Sequence, residues 1–420
     1  MKAPVKFFWC LIIAGFFYEL AYTNACGADE SYLDSQELKD VELKVDSLKD
    51  KLGDKAGIPD VRDNYIHVPR NARMLTVSEV ESAYEKIYTQ IDKEQVSWQI
   101  GLNPRELKYP LRAHASFLAA LVTALKENLG DRSKNAKIAR NLAQFLIWTQ
   151  QQAGTGVYPF PLTQERNGAA FKALSHFLSE AKKQNKLSLV IKNSWMCDDL
   201  TDGGLQFDNS EVGCAMFDMY VYTHDNNYLI SAVKSADWAS NHSIVRNWNY
   251  NAFSIGLLTK AYTLTKNKSY LTAALHKARI GVLPGQLTLG PQAGRWVDQH
   301  NARPAYHYIM MQALCELLEV LPKDEPSRNS IIECLRLGLM NRNADFLARG
   351  APTKEKAFTA LLAVKRIFHS DKEFLIQTHT LDALHNLELI ISSQYLRGSL
   401  PLSPREWALF LVEVKEGGLN

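Results

Sequence analysis

The chain has 420 residues, 46% hydrophobic and 22% charged, enough to bury one large core or two ordinary ones in a globular body. Its formal charge is only +3 and no long basic block occurs, so the electrostatic footprint of a nucleic-acid binder is missing and that class is excluded.

Lys2 and Lys6 precede the apolar run 7–18, which is too short to span a bilayer, and Ala25 and Ala28 supply small residues for cleavage. Residues 1–25 therefore read as a secretory signal, and the mature protein is expected to be exported, periplasmic or secreted. Cys26 directly follows Ala25 and could carry a bacterial lipid anchor, although Thr23 and Asn24 depart from the usual residues before such a cysteine. In an oxidising compartment Cys197 with Cys214 and Cys315 with Cys334 are the nearest candidate disulfides, with four buried free thiols as the alternative. None of the cysteine spacings resembles a zinc site, and no metal or cofactor is expected.

Residues 26–75 read as a linker. Within them Leu38, Val41, Val45, Leu48 and Leu52 form a short heptad stripe, which predicts a spacer helix or one packed on the main domain. Residues 53–75, with Pro59 and Pro69, read as irregular chain. Residues 76–420 form the main domain. Its periodicity predicts helices over 77–94, 112–129, 134–152, 168–183, 209–224, 226–240, 250–265, 267–280, 302–321, 325–347, 354–368, 371–395 and 404–415. Short strands are expected only near 187–191 and 286–289.

An internal repeat organises these helices. Tyr220-Val-Tyr-Thr223-His-Asp-Asn-Asn-Tyr228-Leu229-Ile-Ser-Ala232 aligns with Tyr262-Thr-Leu-Thr265-Lys-Asn-Lys-Ser-Tyr270-Leu271-Thr-Ala-Ala274, each a helix, a tight turn and a second helix. The first helix of a pair is apolar nearly all round (Ala252, Phe253, Ile255, Leu257, Leu258, Ala261), as a helix buried on two sides must be. The second keeps one apolar face (Tyr270, Leu271, Ala274, Leu275, Ala278). Inner helix, short turn, outer helix and long return loop, repeated about an axis, give an all-α fold, an α/α toroid with a complete or incomplete ring.

On these residues, segments 209–240, 250–280 and 302–347 resemble the six-hairpin glycosidase-like superfamily and the related α/α-toroid polysaccharide lyases, over roughly residues 110–400. The resemblance implies that the loops entering the inner helices converge on one face, which holds the substrate cleft. Helix N-termini gathered in a concavity suit an anionic or hydroxyl-rich ligand. The loops concerned are 153–167, 193–211, 242–251 and 285–303.

Loop 193–211 carries Asp198, Asp199, Asp202, Asp208 and Glu211. Glycosidic hydrolysis needs one carboxyl kept protonated and another ionised, and Asp208, Glu211 and Asp298 are the candidates. The structural alternative makes Asp208, Asn209 or Ser210 a helix cap. The adjacent Asp198 and Asp199 are similar to the paired aspartates of some six-hairpin hydrolases, but here Asp208-Asn209 occupies the start of the inner helix.

The segment Trp296-Val-Asp298-Gln-His300-Asn301-Ala-Arg303-Pro-Ala-Tyr306-His307 suits a second reaction. A uronate lyase or epimerase must neutralise a carboxylate, a task for Arg295, Asn301 or Arg303, and move a proton, a task for His300, Tyr306 or His307. Pro304 marks the first turn of the helix behind it. Tyr158, Trp195, Trp248 and Trp296 are candidate stacking platforms for sugar rings, with Asp198, Asp199, Asn209, Asn249, Asn251, Arg295 and Asn301 as polar binding groups. The expected partner is a polysaccharide or oligosaccharide. Paired-carboxylate hydrolysis leads, with the lyase or epimerase as one alternative and a non-catalytic glycan-binding envelope protein as another.

Overall fold

The computed structural model describes residues 29–200 and 203–417. The expected signal, residues 1–25, and Cys26 lie outside the described residues. Helix α1 (Asp29–Leu52) carries the heptad stripe, and Val41, Val45, Leu48 and Leu52 pack on the main body. The stripe is thus spent on docking. The linker after it is also tied down, through a backbone pairing of Ile66 with Ala351 and an ion pair of Asp60 with Arg303.

Helix α2 (Val77–Glu94) opens with a capping box between Thr76 and Glu79. Inner and outer helices then alternate: α3 (Leu111–Lys126) inside and α4 (Arg132–Ala153) outside. An excursion follows, made of α5 (Ala169–Phe177), α6 (Ser179–Lys183), α7 (Leu187–Val190) and three two-residue strands. The strands β1 (Phe160–Pro161), β2 (Ile191–Lys192) and β3 (Trp195–Met196) pair antiparallel in the order β1-β3-β2. The ring resumes with α8 (Gly204–Thr223) inside, α9 (Asn226–Asn241) outside, α10 (Trp248–Thr265) inside and α11 (Lys268–Gly281) outside. It continues with α12 (Pro304–Val320) inside, α13 (Arg328–Arg349) outside and α14 (Glu355–Ile367) inside. After the short α15 (Lys372–Gln377), α16 (Thr380–Leu396) is outside and α17 (Pro404–Gly417) inside.

Each inner helix packs on the next, α3 on α8, α8 on α10, α10 on α12, α12 on α14 and α14 on α17, and α17 returns to α3. The ring is therefore complete, with α2 as the outer helix beside α17. Because an outer helix returns the chain between each pair of inner ones, all six inner helices run the same way.

The repeated turn has a clear local cause. Thr223 Oγ1 donates to the Met219 carbonyl and accepts from the Asp225 N–H, His224 takes a left-handed φ of 57°, and Asp225 caps the next helix through the Asn227 N–H at 2.9 Å. Thr265, Lys266 and Asn267 repeat this at the end of α10, with φ 59° at Lys266 and the Ser269 N–H 3.1 Å from Asn267 Oδ1.

Several expectations are corrected. Helix α8 starts at Gly204, five residues before the expected position, so Asp208, Asn209 and Ser210 lie inside the helix and cap nothing. Its entry turn is made by Gly203, whose φ of 83° is a left-handed conformation that glycine tolerates. The expected helix 168–183 is broken into α5 and α6, and 371–395 divides into α15 and α16 at His379, which adopts a φ of 51°. The expected strand at 187–191 is mostly α7, and near 286–289 only an isolated bridge of Gln286 with Trp296 forms. Cys197, Cys214, Cys315 and Cys334 are free: each thiol sits in its own surroundings, Cys214 on the ring interior and the other three in the core. Burial pushes all four thiols up, Cys197 to about 11 and Cys214 to about 12. Among the described residues no helix is long and apolar enough to cross a membrane.

Candidate functional site

The helix-opening motifs do converge on one end of the ring, but most of their side chains build the scaffold. Asp208 is fully buried, and Arg112 of α3 takes both of its oxygens, the backbone N–H donating to Oδ1 at 3.0 Å and Nη1 to Oδ2 at 2.6 Å. Burial raises the Asp208 carboxyl above its ordinary value, against the pull of Arg112. Asn209 accepts from the Tyr158 N–H at 3.1 Å and donates to the Ser235 carbonyl at 2.9 Å. Asp199 is buried between the Leu205 N–H at 2.7 Å and His242 Nε2 at 3.0 Å. Asp198 is exposed, accepts from the Leu200 N–H at 2.8 Å, and borders a surface groove of about 690 Å³ between the ends of α4 and α9.

Of the aromatic platforms, Tyr158, Trp195 and Trp296 are buried and Trp248 is nearly so. Tyr158 meets Ser231 Oγ at 2.6 Å and Trp296 Nε1 donates to the Val282 carbonyl at 2.9 Å. Their large apolar faces are used to fix the return loops to the ring, and a stacking role for these rings is not supported.

The segment 295–307 divides in two. Asn301 donates through its backbone and side chain to Asp298 Oδ1 at 2.8 and 2.9 Å, and it accepts from the Asn249 N–H at 3.1 Å and from Asn249 Nδ2 at 2.9 Å. Asn251 is spent on the backbone of Val245 and Gly281. His307 is wholly buried, donates from Nε2 to the Gly294 carbonyl at 2.8 Å, and is held well below the usual histidine range, by burial first and then by Arg342. Arg295 donates to Asn341 Oδ1 at 2.7 Å. Only His300, Arg303 and Tyr306 gather at the half-exposed rim. There the His300 and Tyr306 rings stack with centroids 4.6 Å apart, and Arg303 grips Asp60 at 2.6 and 2.8 Å.

The concavity at the heart of the ring lies deeper. A cavity of about 600 Å³ runs between α8, α10, α12, α14 and α17. Of all the sequence-derived candidates, only Glu211 lines it. Asp208, Asn251, His300 and Arg303, from the loops expected to converge on one cleft, do not border this cavity. Glu211 is bound by Arg405 and by Lys356 at 3.4 Å. Burial works against its charge, yet the two cations outweigh it and hold the carboxyl at about 2.

Glu316 of α12 lines the same cavity. Its Oε1 accepts from Gln312 Nε2 at 2.9 Å, and its Oε2 reaches toward Gly256 of α10, where an added Cβ would lie 3.3 Å away. Burial pushes this carboxyl up, and the bond from Gln312 and the charge of Lys260 only partly oppose the shift. Lys260 itself pairs with Asp218 at 2.6 Å. Among the carboxyls that line this cavity, Glu211 and Glu316 thus have proton affinities displaced in opposite directions. Glu316 escaped the sequence reading because it sits in an apolar run. The available signal was Gln312 and Glu316 at i,i+4, a polar stripe down an otherwise apolar helix.

No protein-family model and no curated protein matches the chain. Among solved structures it is similar to an unsaturated glucuronyl hydrolase from Streptococcus agalactiae, at 13% identity over 85% of this chain and 98% of that one, with a TM-score of 0.47. It is also similar to a family 88 glycosyl hydrolase from Bacteroides vulgatus, at 10% identity over 82% and 99%, TM-score 0.48. A third is a polysaccharide lyase, at 13% identity over 82% and 97%, TM-score 0.47. Likeness at this level carries no argument about chemistry. The six-hairpin ring rests on the packing of this chain's own inner and outer helices.

Proposed function

We propose that this protein is a carbohydrate-active enzyme that hydrolyses glycosidic bonds inside the ring, with Glu211 as the ionised carboxylate and Glu316 as the proton-bearing one. The observation that carries the reading is the pair itself: two carboxyls on non-adjacent inner helices border one cavity, one driven down by cations and one driven up by burial. The lining mixes apolar surface (Phe253, Ile309, Leu409) with threonine hydroxyls, the Gln312 amide and charged side chains of both signs, a combination that suits a sugar ring with C–H faces and an O–H periphery. Elimination has less support, because His307 is sealed in the core, Asn301 is committed to Asp298, and Arg303 is committed to Asp60. The charged-then-apolar segment at residues 2–18 supports export, with lipid attachment at Cys26 as a variant of the same route.

Incubation with a panel of neutral and uronate glycans, reading new reducing ends and ultraviolet absorbance together, tests this. Hydrolysis gives reducing ends without the absorbance of an unsaturated uronate. Glu211→Gln and Glu316→Gln are each expected to lower the rate by about 10²–10⁴-fold. Appearance of the absorbance would transfer the chemistry to elimination. One observation favours a second reading, a glycan-binding envelope protein: Glu211 is fully engaged by Arg405 and Lys356, which makes it a weak base. Binding across the panel without turnover would select that reading.

A further inference from the structure

The cavity is graded along the ring axis. Its wall extends to the last turns of the inner helices, at Val221 of α8, Leu264 of α10, Val320 of α12 and Arg366 of α14. Side-chain exposure is greatest at that end, 56% at Arg366 and 46% at Glu319, falls to 32% at Asp218, 30% at Lys260 and 10% at Glu211, and is 19% at Lys356 and 24% at Arg405 beside the helix N-termini. On the N-terminal side Phe207 stacks on Phe253 with centroids 4.0 Å apart and planes 17° from parallel. The Arg112 guanidinium lies 4.4 Å from the Phe207 ring centre, and Asp208 beneath it is closed off.

The wall of the cavity is polar as well as apolar. Ser210 and Thr259 belong to its lining and are only 2% and 5% exposed, but Ser210 Oγ and Thr259 Oγ1 are themselves sealed off and have no hydrogen bond among the described residues. The accessible polar groups of the wall, Thr263, Gln312, Glu211 and Lys260, beside the apolar surface of Phe253 and Ile309, fit a ligand with several hydroxyls on a compact ring.

We propose that the ring is entered from the C-terminal ends of its inner helices, opposite to the face where the helix-opening motifs gather, and that the pocket closes toward the Phe207–Phe253 stack and receives the end of a hydroxyl-rich saccharide chain. A pocket closed at one end admits a chain terminus and excludes the middle of a polymer. The position of the entrance stands on the shape of the cavity alone. The nature of the ligand rests on the reading of the lumen as a saccharide site.

Cys214 reports on both parts, because its free, half-buried thiol lines the cavity midway. The full chain is treated with methyl methanethiosulfonate, and modification of Cys214 is followed by peptide mass spectrometry. Val221→Trp and, on the adjacent helix, Thr263→Trp place bulk at the proposed entrance. Each should slow labelling of Cys214 by an order of magnitude while the melting temperature stays near that of the parent. Unchanged labelling in both folded variants, or no labelling in the folded parent, would overturn the entrance. In a second arm, neutral and uronate disaccharides at millimolar concentration are expected to protect Cys214. If labelling is gated by Val221→Trp but no disaccharide protects, the ligand assignment falls and the entrance stands. Protection without turnover refutes hydrolysis and leaves both parts of this proposal in place.

Discussion

Glu211 and Arg405 lie 194 positions apart in the chain and meet inside the ring as an ion pair. The Arg405 backbone N–H also donates to Ser116 Oγ at 3.1 Å, so one residue of the last helix latches α17 to both α8 and α3. The same contact that closes the ring sets the charge state of the carboxylate assigned to chemistry.

This pair makes stability depend on acid. The Glu211 carboxyl is held at about 2, against 4.5 for an ordinary glutamate, so the folded state binds its proton later than the unfolded chain does. The stabilisation is present above pH 4.5 and is lost as pH falls from there toward 2, by about 3 kcal/mol in all. Urea midpoints at about pH 6 and about pH 3 measure the fall, and Glu211→Gln should flatten it.

His114 gives a second, separable pH effect. It is wholly buried among Trp98, Phe117 and Phe145, and burial depresses it from 6.5 to about 4. The unfolded chain takes up a proton below 6.5 that the fold refuses until about 4, so stability declines as pH falls through that window, by about 3 kcal/mol. His114→Leu should abolish the decline between about pH 7 and about pH 5 in urea melts while leaving the effect of Glu211 at lower pH.

Arg303→Ala separates the two chemistries. Its partner Asp60 keeps 37% of its side chain exposed, so losing the pair should cost no more than about 1 kcal/mol. Under hydrolysis in the lumen the rate on the identified glycan stays within a few-fold of the parent. Elimination at the rim would need the guanidinium, and the rate would then fall by roughly 10²-fold or more, as a lost charge-stabilising donor does. Steady-state kinetics on one glycan decide between them.

Gly256→Ala should divide stability from activity. Alanine in place of glycine inside a helix gains about 0.5–1 kcal/mol. The new Cβ, however, would stand 3.3 Å from Glu316 Oε2 and press on the carboxyl that is to deliver the proton. A raised melting temperature with a lowered kcat is the expected combination, and an unchanged kcat would remove Glu316 from the reaction.

What the sequence by itself determined is the ring. Helix length, the all-round apolar character of the inner helices and the Thr-x-Asp/Asn turn are written in neighbouring residues, because helix periodicity and capping act over a few positions. The repeat then tells how often the unit recurs. Which side chains face the lumen was decided only by tertiary closure. Asp208 was legible as a carboxylate near a helix start, but its partner Arg112 lies 96 positions upstream and turns it into a structural bond. Glu316 went unread in an apolar run, and only the closed ring brings it and Glu211 of α8 to one cavity. Trp195 and Trp296 looked like ligand platforms in loops, but the ring offers them apolar surface to cover, and burying a large aromatic side chain outweighs leaving it exposed for a ligand. Local chemistry fixes each element, whereas the direction an inner-helix side chain faces depends on neighbours a hundred or more residues away.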